Sequence, residues 1–440
     1  MRIWYETRPV ADLMPGELGP TLSYLPEWLT LRGAFPVSTR MPLRAEPYGP
    51  SFVIPWIVNL LPESQNLEAI VRLTRTAEQD VLGLLDQIGR DTAGAFSFGQ
   101  RGSLGMAGKA IPDEAALERI INDLPAKPFL VGDEGVSMSL AGVQSKIGVH
   151  LDAESRLSIP VDGSPSTWIL KPDSSNLPGG VWNEAFCLRL ARRVGLEVPE
   201  VRTGWAGGRR YLLVARYDRL QQGQVWRRLH QEDYAQALGV LPAAKYERNH
   251  AGRPGPRLQD LFERTRQVAD IASVRRLLQH VIFNVIACNT DAHAKNYSLL
   301  ITADGARLAP LYDVMCAAVW PAVTKNLANT IAGKNRGDYL KGRHWQKEAV
   351  LCGLSPVATL RQVGELCDKV QAALNDTFAE VVALDPKSAW MADACRLEIA
   401  QRVVFLRNGL KEVVPDLRAW IRGIAEGRPE AEEENGMQED

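Results

Sequence analysis

One stretch limits what this chain can fold into: residues 291–313, D-A-H-A-K-N-Y-S-L-L-I-T-A-D-G-A-R-L-A-P-L-Y-D. Asp291 is followed five residues on by Asn296. Two apolar runs then flank Ala303-Asp304-Gly305, and the second closes on Asp313. Asp-Gly between apolar runs predicts a hairpin, so the closing turn can bring the two acidic ends near each other. Phosphoryl transfer needs such a set: one carboxylate to orient the attacking hydroxyl, and an amide oxygen with a second carboxylate to hold magnesium. The Asp-x-x-x-x-Asn spacing is that of a protein-kinase catalytic loop, and Asp313 stands where the metal-binding Asp would be. A hairpin with acidic ends is by itself more often plain surface, so the other parts must be found elsewhere in the chain.

They follow in order upstream. Residues 137–151, S-M-S-L-A-G-V-Q-S-K-I-G-V-H-L, read as strand, small-residue turn, Lys146 and strand. Backbone N–H groups in such a turn can cradle phosphate, with a lysine as counter-charge; alone, the segment reads as a hairpin. Residues 166–173, S-T-W-I-L-K-P-D, are a β-type run ending in Lys171. The next segment, residues 183–196, repeats Ala185, Leu188, Ala191 and Val194 near helical spacing. Asn183 can cap this helix, Gly195 can end it, and Glu184 falls in its first turn. A strand lysine followed by a helix with an early glutamate reproduces the kinase ion pair that positions the phosphate-binding lysine. Residues 211–218, Y-L-L-V-A-R-Y-D, form an apolar strand running into the place of the interlobe hinge, with Ala215, Arg216 and Tyr217 as candidates to meet adenine.

The rest of the chain supports a soluble enzyme with ample core. Its 440 residues, 45% hydrophobic and 23% charged with formal net charge -1, predict two or three lobes. No apolar run approaches the ~18–20 residues of a membrane span, and the start, M-R-I-W-Y-E-T-R, lacks a signal peptide's apolar core. Six cysteines without C-x-x-C pairing argue against a zinc site or disulfide framework and for a cytoplasmic protein. Residues 81–88 read as a short helix ended by Gly89, and residues 90–99 as a loop entering a strand. Beyond Arg227 the pattern is mainly helical, with long candidates at 260–284, 355–384 and 389–423. Between Arg202 and Arg276 there are 15 Lys/Arg against 7 Asp/Glu; such an excess is more often a solvated face than an anion site.

Each part is weak singly, but their order is that of a two-lobed kinase. The sequence also resembles one family, the HipA serine/threonine kinases, toxins of bacterial toxin–antitoxin pairs. The resemblance rests on S-L-A-G-V-Q-S-K (139–146), W-I-L-K-P (168–172), N-E-A-F-C (183–187), V-A-R-Y-D-R (214–219), Q-E-D (231–233) and K-Y-E (245–247). It continues through T-D-A-H-A-K-N (290–296) and L-A-P-L-Y-D (308–313). L-P-E-W-L (25–29), N-L-L-P-E-S (59–64) and I-G-R-D-T-A-G-A (88–95) extend it into the first part of the chain.

The resemblance implies an α+β, two-lobed protein-kinase-like fold with an additional small N-terminal domain and a mainly helical C-terminal lobe. It implies ATP and Mg2+ as cofactors and Asp291 as the catalytic base. Asn296 and Asp313 would hold magnesium and Lys171 the phosphates, with Glu184 as its ion-pair partner. Ala141, Gly142, Val143, Gln144, Ser145 and Lys146 would form the phosphate loop. His293, Ala294, Lys295 and Asn296 with Tyr312 would complete the ATP site, and Ala215, Arg216 and Tyr217 the hinge. Ser139 matches the serine that the family autophosphorylates. Two departures are local: Ala215 replaces a more usual acidic residue at the hinge, and Ser145 an acidic residue in the loop. The implied partners are a dimeric helix-turn-helix, HipB-like antitoxin, operator DNA reached through it, and a protein substrate such as an aminoacyl-tRNA synthetase. A small-molecule kinase of this fold and a catalytically dead antitoxin-binding co-repressor are the alternatives; intact Lys171, Asp291, Asn296 and Asp313 weigh against the second. The expected boundaries are 1–125 for the N-terminal domain, 126–222 and 223–425 for the two lobes, and 426–440 for a disordered acidic tail.

Overall fold

The computed structural model of the chain describes residues 1–252 and 254–426. The expected acidic tail, apart from Glu426, lies outside the described residues.

The first hundred residues build a four-stranded antiparallel sheet in the order Thr21–Tyr24, Arg8–Met14, Arg2–Tyr5, Phe96–Phe98. Helices Pro50–Val58, Ser64–Thr74 and Val81–Ile88 accompany it. The helix expected at 81–88 is present, with Asp80 accepting from the Gly83 N–H (2.9 Å) at its start and Gly89 at its end. A second, six-stranded sheet follows the order Val201–Ala206, Arg209–Ala215, Trp168–Pro172, Ile147–Leu151, Leu157–Pro160, Gly108–Ala110. The two sheets share one apolar core: Ile3, Phe96 and Phe98 belong to the same buried cluster as Ile147, Val149, Leu170 and Leu213. Neither sheet can bury an apolar face against water, so each covers the other.

Residues 137–151 are not a hairpin. Met138–Ser139 pairs in parallel with Asp91–Thr92, while Ile147–Leu151 pairs with the lysine strand Trp168–Pro172 and with Leu157–Pro160. The small-residue loop therefore spans two different sheets rather than closing one.

Helix Gly180–Arg193 is capped four residues before the expected cap, at Gly179 with φ +80, and ends at Val194 before Gly195. Asn183 is thus inside the helix and fully buried, where it accepts from the Cys316 N–H (2.7 Å) and donates to the Cys316 carbonyl (3.0 Å). Glu184 falls in the second turn rather than the first. The expected helix 260–284 is two, Leu258–Val268 and Ile271–Ile286, because Ala269 is extended (φ -125, ψ 168) and Asp270 caps the second. Likewise 389–423 divides into Ala389–Gly409 and Leu417–Ala425, with Pro415 in the break. Pro356–Leu384 is a single helix of 29 residues.

The hairpin that opened the sequence argument exists: Ser298–Thr302 pairs with Gly305–Leu308, and His230–Asp233 joins on the other side of Ser298–Thr302. Thr302 opposes Gly305, so the two-residue turn is Ala303-Asp304, and Gly305 (φ +124) takes a conformation open to glycine. Among the described residues all six cysteines are free and buried, and no helix is long and apolar enough to cross a membrane.

Candidate active site

The lysine strand, the glutamate helix and the end of the hairpin converge on one ammonium. Lys171 Nζ lies 2.8 Å from Glu184 Oε1 and 2.8 Å from Asp313 Oδ1. The Lys171 and Glu184 side chains are 9% and 2% exposed, Asp313's 33%. Burial opposes charge on Lys171, but the Asp313 and Glu184 carboxylates outweigh it and hold the ammonium above its ordinary value. Burial would raise the Asp313 carboxyl, yet the Lys171 and Lys146 ammoniums bring it down to about 2. Asp313 also sits at φ +57, a left-handed backbone that a non-glycine residue adopts at a cost of about 1–3 kcal/mol.

The catalytic-loop candidates are built largely by backbone contacts. The Asp291 N–H donates to Asn289 Oδ1 (3.1 Å), and the Asp291 carbonyl accepts from Asn296 Nδ2 (2.7 Å). That bond aims the Asn296 amide and leaves its oxygen as the free end. The Asp291 side chain is half exposed and is bonded by the Tyr246 hydroxyl. Burial of its surroundings, aided by the Asp313 charge, pushes the Asp291 carboxyl up to about 6 against the pull of that hydroxyl. His293 Nε2 is 4.0 Å from Asp291 Oδ1, and burial lowers its imidazole to about 3, so the ring is neutral. Its buried Nδ1 has no hydrogen-bond partner among the described residues.

The phosphate-loop candidates are held by the N-terminal part of the chain. Ser139 is fully buried, its hydroxyl donating to the Leu60 carbonyl (2.7 Å). The Glu63 N–H donates to the Gly142 carbonyl (3.3 Å), and Asn66 Nδ2 to that of Val143 (2.9 Å). Gly142 has φ +109, and a Cβ there would lie 2.7 Å from Lys146 Nζ, so only glycine lets that lysine fold back across the loop. Val143 is exposed, and Ala141, Gln144 and Ser145 are partly so. Burial lowers the Lys146 ammonium to about 8, and the neighbouring Lys171 charge adds to the fall.

The Arg216 side chain, 6% exposed, points into a buried ion cluster, with Asp218 Oδ2 at 2.7 Å, Ser166 Oγ at 2.9 Å and the Thr92 carbonyl at 2.8 Å. The Ala215 and Arg216 N–H groups already donate to the Glu200 and Thr167 carbonyls (2.9 Å each), leaving carbonyls and the Tyr217 ring to line the hinge. Tyr217 stacks on Tyr312 with centroids 5.6 Å apart, so the ring of the hinge meets the ring beside Asp313. The Lys295 Nζ pairs with Glu63 Oε1 (3.0 Å) and donates to the Asn59 carbonyl (3.1 Å). Only its carbonyl faces Tyr312, whose hydroxyl donates to it at 2.8 Å. Ala294 is buried, its N–H donating to the Lys245 carbonyl (3.2 Å).

Glu63, Lys245 and Tyr246 belong to the constellation although sequence reasoning gave them no role. Glu63 bridges Lys245 (2.7 Å) and Lys295 (3.0 Å). Their signal was present only as membership of N-L-L-P-E-S and K-Y-E, since spacing cannot reveal a pair 182 residues apart.

These residues suit a magnesium nucleotide. The Lys146 ammonium, lowered to about 8 by burial and by the Lys171 charge, is one that a bound anion would stabilise in its charged form. The unpartnered His293 Nδ1 leaves a hydrogen-bonding position open. Asp313 and the free oxygen of Asn296 offer the hard oxygen ligands that magnesium prefers.

Comparison with known proteins agrees with this architecture. Residues 1–99 match the HipA N-terminal domain and residues 138–376 the HipA-like C-terminal domain. Y4mE of Sinorhizobium fredii, provisionally named a kinase, is 34% identical over 387 residues, 85% of this chain and 90% of its own. The serine/threonine-protein kinase toxin HipA of Shewanella oneidensis is 31% identical over 343 residues, 73% of this chain and 77% of its own. The solved complex of S. oneidensis MR-1 HipA with HipB and operator DNA contains a chain of the same fold, with a TM-score of 0.80 at 24% identity over 94% of this chain and 98% of that one. Both the N-terminal domain and the C-terminal domain that carries Lys171, Asp291 and Asp313 are therefore accounted for, and the chain belongs to the HipA family of kinases.

Proposed function

We propose that this protein is a serine/threonine protein kinase that uses ATP and magnesium and serves as the toxin of a toxin–antitoxin pair. The observation that carries the reading is the buried Lys171 ammonium, 2.8 Å from both Glu184 and Asp313 and in chain order with Asp291 and Asn296. A structural ion pair needs one carboxylate; a lysine shared between an inner glutamate and a partly exposed aspartate is arranged to hand charge to a ligand.

In this reading Asp291 orients the acceptor hydroxyl and takes its proton, while Lys171 and Lys146 hold the phosphates over the 141–146 loop. Asn296 and Asp313 would hold magnesium, which when bound neutralises charge on the transferred group. Tyr217 and Tyr312 flank the adenine end. Ser139 is the autophosphorylated residue, an aminoacyl-tRNA synthetase is the class of protein substrate, and a helix-turn-helix antitoxin is the neutralising partner. The solved relative assembled with HipB and operator DNA supports the last of these. We also propose the boundaries 1–125, 126–222 and 223–425 for the N-terminal domain and the two lobes.

The test is phosphate transfer from ATP in the presence of magnesium. Asp291→Ala and Asp313→Ala should each lower the rate by orders of magnitude while thermal melting stays cooperative, because each removes positioning and charge stabilisation together. A folded Asp291→Ala protein with near-wild-type turnover would sink the reading.

A further inference from the structure

Residues 245–247, K-Y-E, form a strap held at three points beside the catalytic loop. Lys245 Nζ donates to Glu63 Oε2 (2.7 Å), and the Lys245 carbonyl accepts from the Ala294 N–H (3.2 Å). At the other end Glu247 accepts from the Thr330 N–H (2.6 Å) and hydroxyl (2.8 Å). Gly255 backs the strap so closely that a Cβ there would lie 2.0 Å from the Tyr246 carbonyl. Between these anchors Tyr246 places its hydroxyl on Asp291 Oδ1, with its ring edge-on to His293 at 4.8 Å and 89°.

A kinase base of this kind receives a hydrogen bond from the hydroxyl it will deprotonate. On Asp291 that bond is already made, by a residue of the same chain. Asn289 and Asn296 bond only the backbone of residue 291, and His293 Nε2 stands 4.0 Å off. Asp313, Lys245 and Glu63 act on the carboxyl through charge. Burial, with the Asp291 charge beside it, raises the Tyr246 phenol well above its ordinary value, so the phenol keeps its proton. It is a donor and a poor nucleophile.

We propose that Tyr246 is a pseudo-acceptor: it holds the Asp291 carboxylate in the acceptor-ready position, keeps water off its Oδ1, and is displaced by the hydroxyl of the incoming protein substrate. The assignment rests on the reading of Asp291 as the base. In the productive step the acceptor oxygen bonds to the γ-phosphorus, the bond from that phosphorus to the β–γ bridging oxygen breaks, ADP leaves, and the acceptor proton passes to Asp291. Water admitted to the same place yields ADP and inorganic phosphate instead. The strap thus favours transfer over hydrolysis by making an unoccupied acceptor site occupied by default.

The experiment uses the full-length protein and compares wild type, Tyr246→Phe, Thr330→Val and Asp291→Asn in two assays: ATP hydrolysis without acceptor, and phosphate transfer to casein. Phenylalanine keeps the ring against His293, and unchanged ATP affinity reports an intact site. Tyr246→Phe should raise hydrolysis roughly tenfold, the scale of a lost hydrogen bond to a charged group. Thr330→Val, which loosens the Glu247 anchor without touching the site, should raise hydrolysis in the same direction. Hydrolysis that fails to rise in either variant, or phosphate found on Tyr246 of the wild type, overturns the proposal. Asp291→Asn separates the two readings. If it retains turnover, the base assignment fails; if it is inactive while Tyr246→Phe shows no rise, the pseudo-acceptor alone fails.

Discussion

The carboxyl of Asp291 titrates where a base can be switched by pH. Burial and Asp313 push it up to about 6, whereas Lys171 and Lys146 hold Asp313 down to about 2. In the proposed mechanism these two carboxylates have different tasks, one to exchange a proton and one to stay charged. The value of kcat/KM for phosphate transfer should therefore be flat above neutrality and fall as pH drops below about 6, where Asp291 gains its proton; a profile level down to pH about 4.5 would assign the base elsewhere. At this scale the residues legible in the sequence were those whose meaning lies in chemical type and order along the chain: Lys171, Glu184, Asp291, Asn296 and Asp313. Tyr246 and Glu63 were not legible, because a tyrosine or glutamate in a loop acquires its role only from partners brought together by folding. Lys295 shows the converse, a basic residue inside the signature whose charge is spent on Glu63 and Asn59.

Elements were legible where local chemistry decides them. The hairpin beyond Asn296 and the helix Val81–Ile88 follow from turn glycines and a capping aspartate. The start of the helix bearing Glu184 was misplaced because Asn183, a strong capping residue type, instead binds the backbone of Cys316, 133 residues away. Residues 137–151, which taken alone read as a hairpin, are not one for a related reason: the partners of their loop are Leu60, Glu63 and Asn66, and its flanking strands do not pair with each other. Those contacts make the loop's position adjustable. Asn66→Ala, which removes the bond to the Val143 carbonyl, should loosen the loop and raise the rate at which Ser139 becomes phosphorylated by several-fold, as expected for one hydrogen bond of about 1 kcal/mol. Mass spectrometry along a time course with ATP checks this, with Asp291→Ala as the unmodified control. An unchanged or slower Ser139 modification would show that the loop is not held by this contact.

At the scale of the molecule, part of the basic excess between Arg202 and Arg276 turns inward, while Arg202, Arg248, Arg257, Arg266 and Arg275 stay exposed. Arg216, Arg219 and Arg228 surround Asp91 and Asp218 in a buried cluster that ties the hinge to the N-terminal part of the chain. Lys245 pairs with Glu63 and Arg276 with Glu197. With formal net charge -1, the chain as a whole exerts little net attraction on nucleic acid. The protein alone should therefore shift operator DNA weakly at physiological salt, where non-specific affinity depends on neutralised phosphates. With an antitoxin of the HipB kind it should join the complex; tight sequence-specific binding by this chain alone would contradict the inward placement. The cluster also makes a stability prediction. Burial would raise Asp91, but Arg219, Arg216 and Arg228 hold it well below the usual carboxylate range. A depressed acid stabilises the fold fully above its unfolded value of about 3.9, and that contribution is lost as pH falls through the folded value. Acid unfolding should thus steepen below pH about 4. Asp91→Asn should cost about 3–5 kcal/mol at neutral pH by stranding buried guanidiniums, and calorimetry across pH tests both.

The depth of Ser139 has a bearing on time. Its hydroxyl is wholly enclosed and bonded to Leu60 while its strand is paired with Asp91–Thr92, so no phosphate can reach it until that pairing parts. If Ser139 is the residue the enzyme modifies, each molecule keeps an internal clock: its working life before self-silencing is set by how seldom the loop swings out, and not by the speed of the chemistry. Lifetimes across a population would then be scattered exponentially, with some molecules falling quiet at once and others persisting long after.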